Sequence, residues 1–334
     1  MSHPRAARQG GKSMKFWKLA TTALGLALTA PAASADTYPS KPIVWILPSA
    51  GTVSDNTARF MSPIMAEKLG QPVVVENKPG AGGIISFEAG AAAKPDGYTI
   101  LFGSSGPLAT YPFTHKTLSY DPVKSFEPIH GFGSSPLVLA VNAGSPFKTF
   151  ADLADYAKAN PDKLNFGTVG VGSAQHLTTV LMMQSAGVSM THIPYKATSN
   201  VVTDLLGGSI DLMFDFASVL KPQLDAGTFR ALGVSGTDRL PALPDVPTFA
   251  EQGSPDIRFS AWSVLLAPAG TPKPIIDKLA EAFDATLKDQ RVVDYHNKLG
   301  AALIMTGPED TKVYIAERTA VMKALVEKAG ITPE

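Results

Sequence analysis

Apolar and polar positions along this chain switch repeatedly between a strand period and a helix period. Residues 43–47 are a continuous apolar run, as expected of a strand covered on both faces. Pro48 ends it, and a short Gly/Ser/Thr loop leads into a helical pattern over residues 54–69. Its apolar stripe is Ala58, Met61, Ile64, Met65 and Leu69. Residues 73–75 predict a second strand, Asn77-Lys78-Pro79-Gly80 a turn, 84–93 a helix and 98–102 a third strand. Such a βαβαβ order implies a mainly parallel sheet with helices on both faces.

A Pro-rich segment, 107–128, then precedes a strand at 137–141. The next unit repeats the logic. It has a helix over 150–159, a strand at 164–166, a loop at 167–173 and a helix reaching about 185. Strands at 191–193, 210–214 and 230–234 follow, with a helix near 200–206 and a helical turn opening at Leu220. Residues 239–255 read as a polar loop, 262–266 as a strand, and three helices cover 273–288, 289–298 and 309–329. The chain therefore predicts two sheet-based lobes that face each other across a cleft. The first lobe takes 36–137 and 262–334, and the second takes 138–261.

The N-terminus changes the picture of where the chain works. Residues 1–35 hold three Lys, two Arg and no acid, around an apolar stretch of 12 residues at 19–30. With Ala33-Ser34-Ala35 before Asp36, this predicts a signal peptide cleaved after Ala35, with Met14 as the biological start. A membrane anchor needs about 20 apolar residues, so this run is too short. Removing those five cations from 29 leaves 24 against 29 acidic residues, a formal charge of −5 on 299 residues. That balance favours neither nucleic acid nor an anionic membrane as partner. The chain has no cysteine, which excludes disulfides and a thiol-linked lipid anchor and suits the periplasm.

Two loops have the chemistry to hold an anion. Ser49, Gly51, Thr52, Val53, Ser54 and Asp55 lie between a strand and a helix, where N–H groups and hydroxyls converge. Thr168, Gly170, Val171, Gly172 and Ser173 form a glycine-rich equivalent in the second lobe. The competing reading of each is a tight turn with Ser or Thr capping the next helix. Asp215 falls at the carboxyl end of a strand facing the cleft, while Asp211 reads as a turn or edge residue.

Other chemistries lack their signatures. Residues 167–172 have no Lys-Ser/Thr ending, so they are no nucleotide P-loop. Ser173 sits one place late for a nucleophile elbow, and His176 beside it has no third group to orient it. The five histidines beyond residue 35 are all more than five residues apart, and no metal-ligand spacing occurs. Neither an enzyme nor a metal or organic cofactor is expected.

Along its length the sequence resembles the Bug (TctC-like) family of tripartite tricarboxylate transporter substrate-binding proteins. The likeness rests on Lys41-Pro42-Ile43, on residues 69–83 with Asn77-Lys78-Pro79-Gly80, and on Pro95-Asp96-Gly97-Tyr98. It continues through Tyr120-Asp121-Pro122, Pro194-Tyr195-Lys196, Leu243-Pro244-Asp245-Val246-Pro247 and Ala267-Pro268-Ala269-Gly270. The resemblance implies a type II periplasmic binding fold, a small carboxylate ligand gripped by two strand-to-helix loops, and delivery to inner-membrane permease subunits. It adds Ser104, Ser105, Tyr195 and Phe214 to the candidate ligand-binding residues. The first loop departs from the family pattern by lacking a Pro and a Gly, and Ala197 stands where Gly is common. A hinged cleft needs no second subunit, so a monomer is expected. The rival function is a binding module that reports the same ligand to a membrane sensor.

Overall fold

The structure is a computed structural model and describes residues 38–333. The predicted leader, residues 1–35, lies outside the described residues. The first unit comprises β1 (Ile43–Leu47), α1 (Val53–Leu69), β2 (Val73–Asn77), α2 (Ile84–Ala91) and β3 (Thr99–Ser104). β1 pairs in parallel with both β2 and β3, and its unbroken apolar run is what a central strand needs. α1 buries the Ala58, Met61, Ile64, Met65 and Leu69 stripe. It stops at Gly70, whose left-handed φ of 70° favours glycine.

The Pro-rich segment is where the sequence reading falls short. After the short helix α3 (Tyr111–Thr114), β4 runs from Phe126 to Asn142, 17 residues instead of the five predicted. Its first half pairs antiparallel with β9 (Ser260–Pro268), and its second half with β7 (Leu212–Phe216) and β8 (Phe229–Val234). Register shifts at Pro128/His130 and Gly131/Gly133 let a strand that contains Pro and Gly stay paired. The two-residue strand β10 (Ala302–Leu303), absent from the sequence reading, pairs with the same half.

The second unit contains α4 (Phe150–Ala159), β5 (Asn165–Thr168), α5 (Ala174–Ala186), β6 (Thr191–Pro194), α6 (Thr198–Gly207) and α7 (Ala217–Asp225). The helices α8 (Lys273–Leu287), α9 (Gln290–Leu299) and α10 (Pro308–Lys328) finish the chain. The strand order is β2-β1-β3-β9-β4-β7-β5-β6. Each unit thus has a parallel part, and antiparallel β9 and β4 join the two. One curled sheet serves both lobes.

The core follows that division. Trp45, Phe132 and Phe283 pack mutually at ring separations of 5.4–5.9 Å under β1 and α8. Val138, Val201, Leu205 and Leu220 form a separate cluster beneath α6 and α7. A third cluster, with Phe87, Phe126, Phe166, Phe214 and Phe249, runs continuously through both units. Large aromatics bury much apolar area per residue, so this shared cluster joins the two units in addition to the strands.

Candidate ligand-binding cleft

A cavity of about 570 Å³ opens between the units. The loop after β1 forms one rim with Gly51, Thr52, Val53 and Ser54, and the end of β3 adds Ser104 and Ser105. Across the gap, Asp215 and Phe216 end β7, and Ala217, Ser218 and Val219 open α7. Thr198, the first residue of α6, and Gln175 from α5 complete that side. Three helix starts therefore meet at one space. The first N–H groups of a helix have no intrahelical acceptor, and neither α6 nor α7 has a side-chain cap. No Lys or Arg lines the cavity.

The first loop is organised from within. The Asp55 carboxylate accepts from the Gly51 N–H at 2.9 Å, from Asn77 Nδ2 at 2.9 Å and from Arg59 Nε at 3.1 Å. Burial works against this anion, but the bonds from Arg59, Asn77 and Gly51 outweigh it and hold the carboxyl below its ordinary range. Asp55 is sealed, so it shapes the loop and does not face the ligand space. Thr52 Oγ1 accepts from the Asp55 N–H as the α1 N-cap and donates to the Ser49 carbonyl at 3.2 Å. It also lies 3.0 Å from Ser54 Oγ. The hydroxyls expected to reach a ligand are thus engaged with the loop, and the free donors are the Val53 and Ser54 N–H groups.

The second glycine loop does not reach this cavity. Three of its N–H groups are taken locally: Gly170 donates to Thr168 Oγ1, Gly172 to His176 Nδ1 and Ser173 to the Gly170 carbonyl. Ser173 Oγ donates to the same carbonyl at 2.7 Å and caps α5. Thr168 is buried against His192, and Val171 is 58% exposed at the loop tip. Gly172 and Ser173 instead border a small separate cavity with Ser105. The sequence reading takes glycine content as open donors, but the turn consumes them. Histidines 176 and 192, distant in sequence, pack with tilted rings whose centres are 4.5 Å apart, and burial pushes the His176 pKa down to about 4.

Two further candidates stand apart from the cavity. Phe214 is fully buried in the shared aromatic core, and the Tyr195 hydroxyl donates to Asp204 at 2.7 Å. Asp215 is 1% exposed yet borders the cavity, accepting from the Phe216 N–H at 2.7 Å and from Gln175 Nε2 at 3.4 Å. Burial is the dominant influence and pushes its pKa up to about 6, against the pull of those two donors. Asp211 accepts from the Asn165 N–H and pins the start of β5.

Sequence reasoning missed the α7 start and the far wall. Phe102, Phe132, Trp262, His296, Leu299, Gly300 and Ala301 also line the cavity. A signal for α7 was present, since Asp215-Phe216-Ala217-Ser218 is another polar strand-to-helix junction like the first. Gly300 ends α9 at φ 67°, and a Cβ there would lie 3.1 Å from Ala217 Cβ across the cleft. Gly270 has a similar φ of 82° with open space around it. Gly300→Ala is expected to weaken ligand binding severalfold by wedging α9 from α7. Gly270→Ala should cost only the backbone strain of about 1 kcal/mol and leave binding unchanged. Thermal unfolding and ligand titration of both variants separate the two effects.

Among the described residues, no helix is long and apolar enough to cross a membrane, and no cluster of three or more His, Asp or Glu could hold a metal. Residues 57–331 match the tripartite tricarboxylate transporter family receptor. The chain is 34% identical over 299 residues to the protein BugT of Bordetella pertussis, covering 89% of this chain and 92% of that one. Its fold is similar to that of the periplasmic binding protein BugD (TM-score 0.76, 36% identity, 89% and 100% coverage). It is also similar to R. palustris Rpa4515 solved with adipate (TM-score 0.79, 32% identity, 89% and 100% coverage). Two lobes sharing one curled sheet, a cleft lined by helix starts, and likeness over nearly the whole chain agree: this protein belongs to the Bug family of tripartite tricarboxylate transporter receptors.

Proposed function

We propose that the protein is a periplasmic receptor that closes its lobes on a small carboxylated molecule and delivers it to the membrane subunits of a tripartite tricarboxylate-type transporter. The observation that carries this reading is the meeting of the α1, α6 and α7 N-termini at a cavity without Lys or Arg. Helix starts offer N–H donors and a partial positive charge, the chemistry that holds an anion by neutral groups. The relative crystallised with adipate supports a carboxylate as the ligand class. In this reading the lobes divide near residues 137 and 261, where β4 and β9 pass from one unit to the other, and the protein works as a monomer. A bound acid is returned unchanged. Deleting the gene should abolish uptake of that acid and restoring it should recover uptake; unchanged uptake of every carboxylate tested removes the transport role.

The neutral grip has two measurable consequences. Affinity should change little between low and high salt, because the cavity offers no cationic side chain whose long-range attraction salt could screen. Thr52→Val should lower affinity about ten- to a hundredfold and cost about 1 kcal/mol of stability, since it removes the α1 cap that sets the Val53 and Ser54 N–H groups. Thr52→Ser keeps the hydroxyl and should bind as the wild type does. Titration calorimetry at two salt concentrations, with thermal unfolding of each variant, reads both.

A further inference from the structure

The side chains around the cavity carry charge of one sign only. Hydroxyls, apolar groups and helix starts make up most of the lining, and among the lining residues described Asp215 alone bears a full charge. His296 also borders the space, but burial lowers its pKa and leaves the ring neutral at pH 7. A lone fixed negative charge opposes the capture of a ligand that is only an anion.

The two buried carboxylates of this region differ in how they are compensated. Asp55 is paired with Arg59 and takes further bonds from Gly51 and Asn77. Asp215 takes a bond of 2.7 Å from the Phe216 N–H and a long one of 3.4 Å from Gln175 Nε2, and among the described residues no cation pairs with it. A carboxylate offers about four lone-pair positions, so roughly half of its accepting capacity is unused. A charge buried in this way costs stability until something pairs with it, and such costs are kept where function needs them.

The strand wall does not supply that partner. Ser104 of β3 stands opposite Ser263 of β9, which also faces Gly133 of β4, two places before Ser135. Their hydroxyls donate or accept and favour neither sign. The two rims do choose. Asp215 lies two residues before Ala217, the first residue of α7, so a carboxylate docked on that helix start meets a like charge. At the α1 start the nearby carboxylate, Asp55, is already neutralised by Arg59.

We infer that the ligand carries an ammonium group as well as a carboxylate, the ammonium received by Asp215 and the carboxylate by the α1 start. This rests on the reading that the helix starts hold a carboxylate, and it narrows the acid to an amino acid or another zwitterion. Such a ligand bridges the lobes, because α1 belongs to the first and β7 to the second. It also removes the cost of the buried charge in the act of binding.

Titration calorimetry of the purified protein with matched acids tests the inference. The sets are butyrate against 2- and 4-aminobutyrate, glutarate against glutamate, and adipate against 2-aminoadipate. In at least one set the amino acid should bind about ten- to a hundredfold more tightly than its parent acid, the range of one charge-assisted bond. In the second set 2-hydroxyglutarate, a donor without charge, should bind more weakly than glutamate. Asp215→Asn should abolish the amine preference, weakening the amino acid about tenfold or more while the parent acid, freed of a like charge, binds more tightly. Absence of an amine preference in every set overturns the inference and leaves carboxylate capture standing. Binding of 2-hydroxyglutarate as tight as that of glutamate overturns the charge pairing, and a preference retained in Asp215→Asn overturns the role of Asp215. Failure of every acid to bind, with or without an amine, overturns both the inference and the reading beneath it. The wild-type series decides the ligand class even where the variant does not fold.

Discussion

At pH 8 the ligand-free Asp215→Asn protein should unfold roughly 3 °C above the wild type, about 2 kcal/mol more stable. Asp215 is buried at the end of β7 with two hydrogen-bond donors, and among the described residues no cation pairs with it. Its folded pKa of about 6 stands above the ordinary carboxylate value of 3.8. Between those values the native state binds more protons than the unfolded state, so stability falls as pH rises through 6 and is flat beyond. The ceiling is about 3 kcal/mol for a shift of this size. Asparagine retains an oxygen for the Phe216 N–H and carries no charge. The advantage should therefore shrink steadily from pH 6 and vanish near pH 4. A variant no more stable than wild type at pH 8 would show that the carboxylate is at ease where it lies.

Asp55→Ala should act in the opposite sense, costing about 3 kcal/mol and lowering ligand affinity more than tenfold. This carboxylate is also buried, but it holds Gly51, Arg59 and Asn77 together, and its removal leaves three donors without an acceptor. Because its folded pKa is depressed, its contribution is fully present above the ordinary carboxylate range and disappears as pH falls through the folded value. Asp55→Asn keeps an acceptor for the Gly51 N–H and should lose less, about 1 kcal/mol. Urea unfolding at pH 7 compares the two. Equal losses would mean that the charge, not the loop geometry, is what matters.

These two residues also mark how far the sequence can be read. Both strand-to-helix junctions of the first unit are legible, because a continuous apolar run and a 3.6-residue stripe are local signals. Asp55 and Arg59 stand i,i+4 on α1, a local pattern, but their third partner Asn77 comes from the separate strand β2, which no short pattern links to them. The sequence pattern opens α7 at Leu220 instead of Ala217, since Phe216 gives no capping signal. The loop 167–173 shows the reverse error. Its glycines mark a tight turn correctly, and composition alone cannot reveal that Thr168, His176 and Gly170 already accept its N–H groups. His296 is invisible as a candidate because α9 is a plain amphipathic helix until α7 is seen opposite it.

The length of β4 bears on how the chain is made. Its first half pairs with β9 and β10, so the sheet of the first lobe stays open until residues 260–268 have been synthesised, more than a hundred positions later. Pairing across such a separation is slow, and an open strand edge invites association with other chains while it waits. The features that hid this strand from the sequence reading then have a second use. Pro128, Gly131, Gly133 and Pro136 interrupt the very stretch that would otherwise offer a long, flat, adhesive edge. The segment is poor at pairing with strangers and pairs with β9 only through the register shifts that β9 accommodates. Smoothing it into an ideal strand, for instance by Gly131→Val with Gly133→Val, would remove a safeguard of biosynthesis as well as crowd the Ile304 and Thr306 contacts at Gly131.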